Sequence, residues 1–261
     1  MSAVRSAQWV LLDIPGAPQV ATQLQQAFAE ARCLALFEGT DLHALRDQGP
    51  QLIDLAAHPV LAQCLHEQPQ DWPGLLLETS VAPGPLLAHL RRMLTVTFGV
   101  HYKAVLSYYN PFIASYFFDA CDARELSRWL GPVEKLYWYG GTWADRALGS
   151  QGWQQLVNPR LPVSPLAVDD NLSLRQQGKL QTCMLERRAW DWSRSTGHDY
   201  ARIWSCVQEG LAHGFNESRV LDGWLRLRLR YPSGRLDESL PGDTQQEQLD
   251  SLRGRWQRDN P

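Results

Sequence analysis

The chain has 261 residues, a formal net charge of −3, 44% hydrophobic residues and 20% charged residues. That length can bury a real core and suits one large or two small domains, and the composition is that of an ordinary globular protein. The mildly acidic balance excludes bulk attraction to nucleic acid or to an anionic membrane surface, and no apolar run reaches the roughly 18 residues that span a bilayer.

Residues 1–6 hold no signal-peptide apolar segment, which leads us to expect a cytoplasmic protein. Residues 9–14 read as a strand stopped by Pro15-Gly16, and Val20, Leu24, Ala27, Phe28 and Ala31 fall on one helical stripe. Residues 33–37 form a second apolar strand, so the opening is βαβ-like with its pairing left open. Thr40 or Asp41 can cap a short helix through Leu42 and Leu45. Gly49-Pro50 sets up a short strand over 51–55, and Pro59 starts a helix to about residue 66.

From Trp72 to Trp138 lies the stretch around which the chain is organised. Residues 74–77 read as a buried strand, followed by a helix with Leu86, Leu90, Met93 and Leu94 on one face. Two strand-like runs flank Gly99 and end in Ser107-Tyr108-Tyr109-Asn110-Pro111. Two short helices and Gly131-Pro132-Val133 close the segment before the aromatic run at 136–139.

Between 140 and 165, glycines and Pro159, Pro162 and Pro165 punctuate a stretch of little periodicity, expected to connect two lobes. Beyond it the pattern is helical. Asp169-Asp170-Asn171 offers an N-cap to a long helix through Leu180, Met184 and Trp190. A helix from about 198 carries Tyr200, Ile203, Trp204, Val207 and Leu211, with Gly214 as its C′ residue. The next begins near 216 and carries Val220, Leu221, Trp224 and Leu225. Its end, 225–230, alternates with period two and suits a strand as well as a helix, and its helical neighbours favour helix. The polar tail holds a short helix around 249–256. The expected fold is an α+β or α/β lobe with a mixed sheet over residues 1–150, followed by an all-α lobe over 151–261.

Motifs for catalysis are missing from the sequence: there is no GxGxxG, P-loop, GxSxG or HExxH. The glycine clusters at 140–142 and 149–152 lack the strand-to-helix setting of a phosphate cradle and read as turns. His43, His58, His66, His89, His101, His198 and His213 show no metal-site spacing. Asp119/Asp122 and Asp169/Asp170 stand where helix starts are expected, which suits capping. Asp13 follows a strand, where α/β enzymes place ligands, but it stands alone. Five dispersed cysteines, Cys33, Cys64, Cys121, Cys183 and Cys206, read as reduced core residues. No catalytic residue, cofactor or metal is expected.

Basic charge is almost wholly Arg, with Lys only at Lys103, Lys135 and Lys179. An Arg-rich surface suits protein contacts, and a GC-rich genome gives the same bias. Eleven Trp and eight Tyr are a heavy aromatic load. Trp190 and Trp192 stand about 200° apart around a helix, so both cannot face one core. With Arg187, Arg188 and Arg194 beside them they have the composition of a binding hot spot; the same rings also suit helix-on-helix packing.

Residues 36–40 (LFEGT), 49–53 (GPQLI), 74–77 (GLLL), 87–92 (LAHLRR), 108–111 (YYNP) and 131–133 (GPV) occur in that order. Their order and spacing resemble the adaptor-chaperone family of bacterial type VI secretion, often called Tap or TEC, first catalogued as a domain of unknown function. The likeness covers roughly residues 9–140. The helical remainder, including Gly210-Leu211-Ala212-His213-Gly214-Phe215, resembles the family's more variable second lobe. One departure stands out: Ser107 and Asn110 occupy positions where family members carry Arg and Asp.

The resemblance implies a non-enzymatic protein that binds a cognate toxic effector and helps load it onto the VgrG spike, with a second chaperone allowed and no nucleic-acid or membrane partner. Trp190, Trp192, Trp204, Trp224 and Arg188 are then the expected effector-facing surface. Gly39, Gly49, Pro50, Tyr108, Tyr109, Asn110, Pro111, Gly131 and Pro132 are expected to be structural. The alternatives are an immunity protein that covers a toxin's catalytic site, and an α/β enzyme of unknown substrate.

Overall fold

Consecutive apolar residues make a strand only where both of its faces are covered, and the first unit of the fold is built that way. The computed structural model describes residues 6–98, 102–236 and 240–259. In it, β1 (Trp9–Leu12), β2 (Cys33–Ala35), β3 (Gln51–Asp54), β4 (Gly74–Glu78), β7 (Lys135–Gly140) and β8 (Gly152–Val157) form a six-stranded sheet ordered β2-β3-β1-β4-β7-β8. Every neighbouring pair is antiparallel. The βαβ-like opening is therefore split: β1 and β2 both pair antiparallel with β3, which lies between them.

Side chains alternate across this sheet into two cores. Leu11, Leu52, Leu75, Leu77 and Leu136 point to one face, where Leu86 and Leu90 of α3 (Pro83–Arg92), Phe117 and Phe118 of α4 (Pro111–Asp119) and Trp129 of α5 (Ala123–Leu130) cover them. Val10, Leu12, Ile53, Leu76 and Tyr137 point to the other, against Val20 and Leu24 of α1 (Gln19–Ala27) and Leu61 and Leu65 of α2 (Pro59–Glu67). Each fully buried Leu or Val contributes about 1.5–3 kcal/mol of transfer free energy. Between β2 and β3 the expected short helix is a 3-10 turn, His43–Gln48.

A smaller sheet holds the hairpin strands β5 (Thr95–Phe98) and β6 (Tyr102–Val105). Gly99 and His101 lie outside the described residues, as does most of the N-terminal segment 1–6. The third strand of this sheet is β9 (Asp170–Asn171), parallel to β5, so this sheet is the mixed one. Asp169-Asp170-Asn171 thus does not cap the long helix α7 (Leu174–Thr196). Ser173 and Gln176 do that, with Ser173 N–H donating to Gln176 Oε1 at 2.9 Å. The two aspartates instead accept ion pairs from Lys103 and Arg128.

The stretch at 140–165 also differs from the expected connection. It contains α6 (Trp143–Leu148), opened by a Thr142/Asp145 capping box, and then β8, which pairs with β7 along its whole length. Only 158–169 is irregular. The chain divides into two compact units, Met1–Cys183 and Met184–Pro261, so the boundary falls inside α7 rather than near residue 150.

The second unit comprises the end of α7 with α8 (Tyr200–Ala212), α9 (Ser218–Arg230) and α10 (Gln245–Asp259). Residues 225–230 are helical, with Leu225 and Leu227 both buried. The tail helix is longer than expected because Leu249, Leu252 and Trp256, at i, i+3 and i+7, make a buried stripe. The architecture is thus a mixed α/β N-terminal region and an all-helical C-terminal region. No helix among the described residues is long and apolar enough to cross a membrane.

Candidate functional site

The residues that carry the family-like motifs take up turn and cap positions of the first unit. Gly39 follows β2 and donates its N–H to His43 Nδ1 at 3.3 Å. Gly49 precedes Pro50, whose carbonyl accepts the Leu36 N–H at 3.0 Å. Tyr108 is buried, with its hydroxyl donating to Leu90 O at 2.9 Å, and the Tyr109 ring meets it edge-on. Pro111 is the first helical residue of α4, where its missing N–H costs nothing. Pro132 O accepts from the Thr79 hydroxyl at 2.7 Å. Gly131 adopts φ +51°, and an added Cβ would stand 2.3 Å from the His89 ring.

Asn110 caps α4: its Oδ1 accepts from Phe112 N and Ile113 N. Its Nδ2 donates to Asp13 Oδ2 at 2.6 Å, while Asp13 Oδ1 accepts the Gly16 N–H at 2.9 Å. Asp13 is 1% exposed. Burial raises its carboxyl above the ordinary 3.8, against the lowering effect of the bonds from Gly16 and Asn110. Asp13 therefore anchors α4 to the end of β1 rather than facing an open ligand site, and the amide at 110 supplies a donor that a carboxylate would lack.

In the second unit the expected aromatic surface separates into two groups. Trp190, Trp192 and Trp204 are all half-buried, and the first two, about 200° apart, do not share one core face. Trp192 Nε1 donates to Asp222 Oδ1 at 3.1 Å and lies under the Arg226 guanidinium at 5.8 Å, which joins α7 to α9. Arg194 stacks over the Trp190 ring at 5.8 Å. Arg188 is engaged within the unit, with Nη1 donating to Ser218 O at 3.1 Å, Nη2 donating to the Ser218 hydroxyl, and Nε 3.7 Å from Asp222.

Trp224 is the correction. It is 0% exposed, its Nε1 donates to Cys206 O at 2.7 Å, and it packs on Phe215 and Trp256. A ring with no exposed surface cannot face a partner, so it belongs to the core. Beside it, sequence reasoning missed Arg228, which forks onto Glu209 at 2.6 and 2.8 Å and lies over both Trp224 and Trp256. The i, i+4 spacing to Trp224 was the available signal.

Cysteine placement is mixed. All five are free, only Cys183 is buried, and Cys33 is exposed on the edge strand β2. Burial pushes the Cys121 thiol up to about 12, which keeps it protonated and unreactive.

Also missed was a cleft of about 580 Å³ in the first unit, bounded by α3, α5 and the irregular strap at 158–166. Asn158 fixes the strap, with Nδ2 donating to Gly131 O and Val133 O, both at 2.9 Å. His89 forms part of the cleft wall, and its Nε2 lies 2.9 Å from Trp129 O. Burial holds its pKa below the ordinary 6.5, the bond to Trp129 opposes this, and the Arg92 charge adds to the depression.

A pKa lowered in the folded state means that the unfolded chain takes up the proton first. Stability is therefore expected to fall as pH drops below 6.5, with His89 contributing at most about 1.4 kcal/mol between pH 6.5 and 5.5. Urea melts at the two pH values should show a smaller loss for His89→Gln, which retains a donor for Trp129 O. Identical losses in the two proteins would remove His89 from the account.

Residues 8–128 match the family described as Domain of unknown function (DUF4123). No curated protein and no solved structure gives a significant match to the chain.

Proposed function

We propose that the chain is a non-enzymatic adaptor that binds a cognate type VI secretion effector in the bacterial cytoplasm and helps load it onto the VgrG spike. The observation that carries this reading is the ordered set of motifs from Leu36 to Val133, most of which falls within the segment that matches the family. The half-buried Trp190, Trp192 and Trp204 support it, because aromatic rings with one apolar face and one wet edge are common anchors at protein interfaces. Arg188 serves this surface indirectly by holding α7 against α9 through Ser218 and Asp222.

The test is affinity capture of the tagged chain from its producing bacterium, with mass spectrometry of what co-elutes. Recovery of one toxin-like protein together with a VgrG component is the expected result. Trp190→Ala and Trp204→Ala should then lower toxin recovery about ten-fold while leaving the circular dichroism spectrum unchanged, as hot-spot truncations do. A toxin recovered without spike, and with its activity blocked, would replace the adaptor reading with an immunity role. Recovery of neither would overturn both.

A further inference from the structure

The cleft beside α3 and α5 falls within the range of about 300–1,000 Å³ usual for ligand sites. Its lining holds three arginines, Arg92, Arg128 and Arg160, and one acid, Glu134. Arg128 is committed to Asp170. Arg160 pairs with Glu134 at 2.8 Å, yet its side chain remains 63% exposed. Arg92 is exposed at the end of α3 and has no acidic partner among the described residues.

Arg160 is also one of two non-glycine residues with positive φ among the described residues, at +54°. Such a conformation costs of order 1–3 kcal/mol and persists only where its surroundings fix it. Here Arg160 N–H donates to Asn158 Oδ1 at 2.8 Å, and Leu161 N–H donates to the Ser127 hydroxyl at 3.0 Å. The strap is thus pinned on both sides of a strained residue, and that residue brings a guanidinium to the cleft. Pro132, Leu161, Val163 and Pro165 add apolar surface to the same lining, beside the polar Ser127, Asn158 and Ser164. Guanidinium groups that share a cleft with proline and aliphatic surface suit an extended chain with a carboxylate and apolar neighbours. A phosphate site would instead converge several donors on one point.

We propose that this cleft docks an extended peptide segment of the effector that carries an Asp or Glu side chain flanked by proline or aliphatic residues. Its carboxylate pairs with Arg92 and competes with Glu134 for Arg160. The assignment deepens the adaptor reading, on which the choice of an effector as owner of the segment rests.

A random peptide library displayed on phage and selected on the full chain tests the cleft without knowledge of the effector. Enriched sequences should carry Asp or Glu beside Pro, Leu or Val. Labelled copies, read by fluorescence anisotropy, should bind Arg92→Glu and the milder Arg92→Gln about ten-fold or more weakly. They should bind Arg124→Glu, a charge reversal on α5 outside the cleft, like the unaltered chain. No enrichment, enrichment without acidic residues, equal binding by both Arg92 variants, or displacement by millimolar inorganic phosphate would each overturn the proposal.

Capture from the producing bacterium separates this failure from that of the adaptor reading. A toxin recovered equally with the unaltered chain and Arg92→Glu removes the cleft and leaves the adaptor role standing. A chain that selects acidic peptides but recovers no toxin retains the cleft and loses the effector as its occupant.

Discussion

Asn110→Asp is expected to destabilise the first unit by about 2–4 kcal/mol at neutral pH. The variant would set a second carboxylate against Asp13 where a 2.6 Å amide-to-carboxylate bond now stands, next to a residue that is 1% exposed. Asp13 already has a raised carboxyl pKa because it is buried, and a like charge raises it further. A folded-state pKa raised above the unfolded value gives stability that is present at low pH and lost as pH rises through it. The deficit should therefore shrink on acidification, once one carboxyl is protonated and can donate.

Asp13→Asn alone should also destabilise, because one acceptor oxygen would replace two, so that either Gly16 N–H or Asn110 Nδ2 faces a donor, or Asn110 gives up its cap on Phe112 and Ile113. The double exchange Asp13→Asn/Asn110→Asp restores one donor and one acceptor. It keeps an acceptor for Gly16 N–H and places the carboxylate at the helix N-terminus, where the dipole favours it. Urea unfolding of the four proteins should show the double variant within about 1 kcal/mol of the original. Simple addition of the two losses would mean that the pair is not coupled as its geometry requires.

Trp224→Ala is expected to cost the second unit about 3–5 kcal/mol, the usual loss for truncating a buried aromatic. The ring is fully enclosed, and its removal would also take the indole bond from Cys206 O and one aromatic face from Arg228. Trp204→Ala, at a half-buried position on α8, should cost about 1 kcal/mol or less. Denaturant melts followed by circular dichroism at the helical band, with limited proteolysis to locate the loosened segment, will read the contrast. A Trp224→Ala protein that melts with the original would return this residue to the surface set.

That contrast shows where the sequence was legible. Helix type and position follow from period 3.6 in α3, α8 and the first turns of α9, and the offset of about 200° between Trp190 and Trp192 shows that both cannot enter one core. Which tryptophan enters a core depends instead on what stands opposite. Trp224 fits because α8 presents Gly210, where a Cβ would lie 2.4 Å from its ring, and no local pattern in α9 records that.

Strand β8 was hidden for a related reason. As an edge strand with Gln154 and Gln155 exposed, it lacks the apolar run that marked β1 and β4. Strand β9 is two polar residues whose parallel partner lies in β5, far back in the chain, so it carries almost no local signal. The arginine cleft was unreadable because its walls come from three separated segments, and the strap's three prolines resemble a linker as much as a wall.

The placement of β7 bears on how far the recognisable segment can stand alone. Residues 8–128 end within α5, before Leu136, Tyr137 and Trp138 fill both cores and before β7 covers the open side of β4. Cut there, the chain would present β4 as a bare hydrophobic edge able to pair with another molecule, and the hairpin β5–β6 would lose the strand that returns at Asp170. The span over which the sequence is recognisable is thus shorter than the span that can fold cooperatively. Variation downstream of residue 128 remains constrained as far as it supplies those strands, whatever freedom the strap between them enjoys.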